Sequence, residues 1–243
     1  MDLNQLDNAE ELGQAAAKLT AYYINDAIYN YGSARLLLSS GASQFTTLKY
    51  LISENVDWNK VIAFHLDEYI GISDKHNASF RKYMKERFVS QVPISEFHYV
   101  NGTGNIDKNI IELNEEIYKR QIDIALIGIG ENCHIAFNDP PCNIEINDAY
   151  HIVTLDKRCR NQQVGEGWFT DINEVPAKAI SMTVNQILKS SHIISAVPYL
   201  VKAQAVYDTF NKTISPSYPS TYLRTHSDWH LYIDKESGSL LNR

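Results

Sequence analysis

LLLSSGASQF, residues 36–45, is the stretch on which the fold turns. Three leucines end abruptly in Ser39, Ser40, Gly41, Ala42 and Ser43, and a helix-like pattern follows. A short, continuously apolar run is the signature of a strand covered on both faces, as in a parallel sheet. Small hydroxyl residues and a glycine at the start of the next helix make a place where successive backbone N–H groups, with the helix dipole behind them, hold an anion. Gly41 lets the backbone come close to a phosphate, and Ser39, Ser40 and Ser43 bring hydroxyl donors. A plain turn with Ser43 as helix N-cap is the alternative. The stretch matches neither a Walker A loop nor G-x-G-x-x-G, so it implies no nucleotide.

The same alternation continues outward. RLLLSS, VIAFHL, IDIALIGIG, YHIVTL, HIISAV and WHLYI read as strands. Helical periodicity occupies roughly residues 8–31, 43–54, 77–91, 107–121 and 198–210, with Asn77 and Asp107 as expected N-caps. Strand–helix alternation predicts an α/β fold: a mainly parallel sheet with helices on both faces. One domain is expected over residues 1–243. Residues 139–178, rich in Pro, Asn, Gln and Gly, are less regular and read as a lid or insertion.

Composition narrows the function. The 243 residues carry 22 Lys+Arg against 29 Asp+Glu, a net charge of −7, and no basic block of the kind that grips nucleic acid. Cys133, Cys142 and Cys159 form no C-x-x-C pair, so neither a zinc site nor a disulfide framework is expected. No window approaches the roughly 20 apolar residues that span a bilayer. The acidic opening lacks a signal core. A cytoplasmic protein with no membrane partner is the expectation.

In open parallel sheets, ligands bind beyond the carboxyl ends of the strands. There the chain places its chemistry. Asp67 and Glu68 follow the second apolar run directly; paired carboxylates split their pKa values, and one can serve as a base. The fourth run ends in IGIGENCHIAFNDPP, where Gly128 and Gly130 suggest tight turns and His134 stands five positions before Asp139. Histidine is the natural proton carrier near neutral pH. His65, inside a strand, reads as core, and His226 and His230 as structural.

These motifs carry a resemblance. FHLDEYIGIS resembles the F-N-M-D-E-Y-V-G-L signature of glucosamine-6-phosphate deaminases, and GIGENCHIAFNDP their G-V-G-x-D-G-H-I-A-F-N-E-P signature. SSGAS stands where they have P-T-G-G-T. VPYLVKAQAV is similar to their segment with a phosphate-contacting lysine, here Lys202. CRNQQVGEGWF and YPSTYLRTH are similar to segments of a divergent branch. The resemblance implies a Rossmann-like α/β fold and a cofactor-independent enzyme that turns an amino-sugar phosphate into a keto-sugar phosphate and ammonia. It implies Asp67 as the base between C2 and C1, His134 as the ring-opening group and Asp139 as its tuning carboxylate. Ser39, Ser40, Gly41, Ala42, Ser43 and Lys202 would hold the phosphate, with Glu68 and Gly130 beside the substrate.

The chain also departs from the family. Asn132 replaces an aspartate, Asp139 a glutamate and Cys133 a glycine. Gln163 stands where the family has a phosphate-binding arginine, for which Arg160 or Arg224 would compensate. A phosphogluconolactonase is the enzymatic rival, but DEY stands here where lactonases show D-E-R. A non-catalytic sugar-phosphate sensor is the other. The epimer of the sugar is open, as is assembly into a homo-oligomer.

Overall fold

The computed structural model describes residues 1–165 and 167–241. Its centre is a seven-stranded sheet built from β1 (Asp2–Leu6), β2 (Ala34–Leu38), β3 (Val61–His65), β5 (Glu96–His98), β6 (Ile124–Leu126), β9 (His192–Val197) and β10 (Trp229–Asp234). The order across it is β1-β10-β9-β6-β2-β3-β5, and every neighbouring pair is parallel. From β2 the chain winds outward through β3 and β5; from β6 it winds the other way through β9 and β10. The order therefore reverses between β2 and β6, whose residues Leu36 and Leu37 register with Ile124 and Ala125. A crevice opens outside the carboxyl ends of two such strands.

Side-chain alternation along the strands feeds two cores. Leu36, Leu38, Ile124, Leu126 and Ile194 pack on one face with α1 (Ala9–Tyr31), α2 (Phe45–Leu51) and α3 (Phe80–Met84). Leu37, Phe64, Ala125, Ile193 and Leu231 pack on the other with α4 (Ile106–Tyr118), α6 (Val184–Leu188) and α7 (Ala203–Asn211). Each leucine so enclosed contributes about 2 kcal/mol. The expectation of a mainly parallel sheet with helices on both faces holds.

Some boundaries differ, for local reasons. α3 is capped by Ser79, whose side chain accepts from the Lys82 N–H, and not by Asn77. α4 is capped by Asn105, which accepts from the Lys108 N–H; Asp107 lies two residues inside the helix. The IDIALIGIG strand closes at Leu126, after which the chain turns toward the crevice. YHIVTL does form a strand, β7 (Tyr150–Thr154), but outside the main sheet. It pairs antiparallel with β8 (Lys178–Met182), which pairs antiparallel with β4 (Asp67–Tyr69). Residues 139–178 thus include β7 and a helix, α5 (Lys157–Gly165), and are more regular than their composition suggested. Tyr69, Phe80, Phe137 and Phe169 form a third apolar cluster beneath this small sheet. Among the described residues no helix is long and apolar enough to cross a membrane.

Candidate active site

At the β2/β6 crevice lies a cavity of about 310 Å³, at the lower end of the range of small-molecule sites. Four loops that are distant in sequence line it. From β2 come Ser39, Ser40, Gly41, Ala42 and Ser43; from β3 comes Asp67. Gly128, Gly130, Glu131 and His134 follow β6, and Tyr199 and Lys202 follow β9.

The serine loop is held rigidly. Gly41 has φ +108°, which a side chain would resist. Its carbonyl accepts from the Tyr83 hydroxyl at 3.0 Å. The buried Gln44 donates from Nε2 to the Ala196 carbonyl of β9 at 3.0 Å and to Ser43 Oγ at 3.1 Å, tying the loop across the crevice. A short 3-10 turn, Ala42–Gln44, then enters α2, and no side chain caps either one. The Ser43 cap is therefore not formed, and the first N–H groups of the turn lack intrahelical acceptors. Ser39 Oγ is buried with no hydrogen-bond partner among the described residues.

Asp67 and Glu68 have opposite fates because consecutive strand residues face opposite ways. Asp67 lines the cavity. Burial first, and the neighbouring Glu68 charge second, push its carboxyl well above the ordinary value of 3.8. Such a group exchanges protons far more readily near neutral pH than a solvated aspartate. Glu68 points away, is fully buried, and is not a substrate contact. It accepts from Ser79 Oγ at 2.7 Å, from the Tyr69, Phe80 and Arg81 N–H groups at 2.9–3.2 Å, and from the Arg81 guanidinium at 3.2 Å. Glu68→Ala should cost about 3 kcal/mol in chemical denaturation, since it takes the acceptor from the buried Ser79 hydroxyl and three N–H donors and the counter-charge from a largely enclosed arginine.

His134 sits in a tight loop in which the Gly130 N–H donates to the His134 carbonyl at 2.9 Å and the Cys133 N–H to the Gly130 carbonyl at 3.0 Å. Its Nδ1 lies 2.6 Å from Asn132 Oδ1 and 3.4 Å from Asp139 Oδ1, while Asn132 Nδ2 donates to Asp139 Oδ1 at 2.9 Å. With its nitrogen committed to the carboxylate, the amide presents its oxygen to the ring. That places a proton on Nδ1, and in the neutral ring Nε2 is the acceptor. Burial pushes the Asp139 carboxyl up, but hydrogen bonds and charge from His134, with Asn132 behind them, outweigh this and hold it at about 2. Near neutral pH Asp139 is thus an ionised carboxylate placed behind the histidine.

Cys133 (φ 69°), Ala136 (φ 51°) and Tyr199 (φ 81°) are the described non-glycine residues in the left-handed region. Ala136 and Tyr199 line the cavity and Cys133 adjoins His134. Strain of this kind, about 1–3 kcal/mol per residue, persists where surrounding structure over-determines it.

Two expected anion contacts are elsewhere. Arg160 donates to the carbonyls of Val175 at 3.1 Å and Ile172 at 2.6 Å. Arg224 donates to those of Thr209 at 3.3 Å and Lys212 at 2.8 Å. Neither lines the cavity, and Lys202 is the cation that does. Gln44 and Ser181 went unread in the sequence; Ser181 Oγ accepts from the Phe137 N–H at 3.1 Å and steadies the histidine loop. A buried glutamine directly after a serine loop was the available signal for the first. His65 is core, as read: burial takes its pKa down to about 3, and Nε2 accepts from the Val100 N–H at 2.7 Å.

Residues 7–231 match the family described as glucosamine-6-phosphate isomerases/6-phosphogluconolactonase. The glucosamine-6-phosphate deaminase of Clostridium novyi (strain NT) is 33% identical, covering 99% of this chain and 100% of its own. Glucosamine-6-phosphate deaminase 1 of Bacillus subtilis (strain 168) is 32% identical, with 99% of each chain covered. A solved structure of a monomeric glucosamine-6-phosphate deaminase superposes with a TM-score of 0.88 at 31% identity, over 99% of this chain and 100% of that one. A 6-phosphogluconolactonase from Shewanella baltica OS155, at 16% identity and TM-score 0.79 over 96% and 97%, shares the fold. The chain belongs to the glucosamine-6-phosphate isomerase/6-phosphogluconolactonase family.

Proposed function

We propose that the chain is a deaminase/isomerase that converts a hexosamine 6-phosphate into a keto-sugar phosphate and ammonia. The observation that carries this reading is the meeting of Asp67, His134, the serine loop and Lys202 in one cavity. The deaminase relatives, identical at about a third of positions over full length, support the same reaction.

In this reading each step falls to a named residue. The phosphate rests on the Ser39–Ser43 loop and Lys202, which fixes the reacting carbons; orientation of this kind supplies several kcal/mol of a barrier. His134 Nε2 takes the proton of the C1 hydroxyl and delivers it to the ring oxygen, opening the sugar. Asp67, ionised, removes the C2 hydrogen and returns it to C1. As the C2–N bond becomes an imine, the amino group gives one proton to the C1 oxygen; water then adds at C2 and the nitrogen leaves, giving the ketone and ammonia. Asn132 keeps the imidazole in the tautomer that these transfers need. Residues 139–178 act as a lid in this reading, supported by the places of Gln163 and Trp168 in the cavity wall. The free, buried state of all three cysteines supports a cytoplasmic setting.

The test is a panel of hexosamine 6-phosphates with ammonia and keto-sugar both measured, and 6-phosphogluconolactone run beside it. Equal yields of the two products on one amino sugar are expected. Lactone hydrolysis alone, or tight binding without products, would overturn the reading. Lys202→Met should raise KM about 10- to 150-fold and leave kcat within a few-fold, because a charge-assisted contact of about 1.5–3 kcal/mol is lost equally from ground and transition states.

A further inference from the structure

We propose that Gln163 donates a hydrogen bond to a hydroxyl of the sugar, not to its phosphate, and thereby sets which epimer is accepted. This rests on the proposed function and names the specificity of that same site. Gln163 lies on α5 and lines the cavity, yet is only 5% exposed. The Tyr69 hydroxyl donates to its Oε1 at 2.5 Å. A phenol donor on the amide oxygen fixes which way the amide faces. Nε2 is left with two N–H groups and no hydrogen-bond acceptor among the described residues. These N–H groups open into the cavity, where an oxygen of the bound ligand takes the place of water as their acceptor.

Two observations point to a hydroxyl. Asp67 and Tyr69 are alternate residues of β4, so their side chains share a face. The Tyr69–Gln163 pair therefore belongs to the proton-transfer side of the cavity. The serine loop and Lys202 enter from β2 and β9 and make a separate anion cradle. The second observation is charge: an amide carries none, and it suits a neutral oxygen where an arginine would suit a phosphate. Epimers differ in where one hydroxyl projects. The matching epimer satisfies Nε2, and the other leaves it unpaired.

The experiment compares the native enzyme with Gln163→Glu and Gln163→Leu. Gln163→Glu keeps an acceptor for Tyr69 and removes the N–H donors; Gln163→Leu removes both. Rates are measured on glucosamine 6-phosphate and galactosamine 6-phosphate, and inhibition by inorganic phosphate is measured beside them. The native enzyme should prefer one epimer by about 10-fold or more. Both variants should lose roughly that factor in kcat/KM on the preferred epimer alone, with the Ki of inorganic phosphate unchanged. Equal losses on both epimers, no loss, or weakened phosphate inhibition would overturn the inference. If the native protein turns over neither sugar, the proposed function falls separately. Calorimetric binding of the same two epimers to the native protein and Gln163→Glu is then read in the same way, and equal change, no change or no binding overturns the role of Gln163.

Discussion

Asp67→Asn is expected to lower kcat by about 10³- to 10⁴-fold while KM stays within a few-fold, and to raise the melting temperature. The first effect follows from removing the base at the reacting carbon, at the upper end of what one proton-transfer group supplies. The second follows from the burial of the carboxyl. Its pKa in the folded chain lies well above the ordinary 3.8, through desolvation and then through Glu68. The folded state therefore binds its proton more tightly than the unfolded state. The stabilising contribution is complete below the ordinary value and is lost as pH rises through the folded value. At neutral pH, well above the ordinary value, the native protein bears the cost of a desolvated carboxyl that either ionises or holds its proton against the solvent, and an asparagine does not. Thermal melts of both proteins from pH 4 to 8 should show a native curve that falls relative to the variant as pH rises. The acid limb of the native kcat profile should lie above the usual carboxylate range. A variant that keeps more than a tenth of the activity would remove Asp67 from the mechanism.

Gly130→Ala should reduce kcat by about 10²-fold or more with little loss of secondary structure. A methyl at this position would stand 2.1 Å from Cε1, 2.2 Å from Nε2 and 2.3 Å from Nδ1 of His134. No real carbon approaches a ring so closely. The ring must therefore leave the place where Asn132 holds it. A displacement of 1 Å suffices for losses of this size. Steady-state kinetics with far-ultraviolet circular dichroism checks this, and an active, folded Gly130→Ala would show that the imidazole is not needed where the structure puts it.

Much of this arrangement was legible in the residues, and the gaps have physical causes. The strands β2, β3, β6, β9 and β10 announce themselves because both of their faces are covered and their sequences are therefore mostly apolar. β1 is an edge strand, half exposed, and its sequence DLNQL looks like loop. β4 and β5 have three residues each, too few for any periodicity. The antiparallel placement of YHIVTL depends on pairing with β8 far along the chain, which no local pattern encodes. In the site, the side chains that face the cavity were readable from their chemistry at strand ends. Glu68 was not, because a carboxylate at a strand end looks the same whether it meets a ligand or anchors a helix; only the partners around it decide. Arg160 and Arg224 were misplaced for a related reason: a guanidinium serves loop carbonyls as well as it serves a phosphate. Gln163 stood out as a departure, but its orientation came only with Tyr69.

The pairing of β1 with β10 joins the first strand to the last: Asp2 lies opposite His230, 228 residues away. During synthesis the opening segment therefore emerges from the ribosome with no neighbour to receive it. At about 5–20 residues per second it waits ten seconds or more while the middle of the sheet assembles without it. A nascent chain halted before Trp229 would leave the β9 edge bare beside an unmatched leader, a form suited to chaperone capture and prone to self-association.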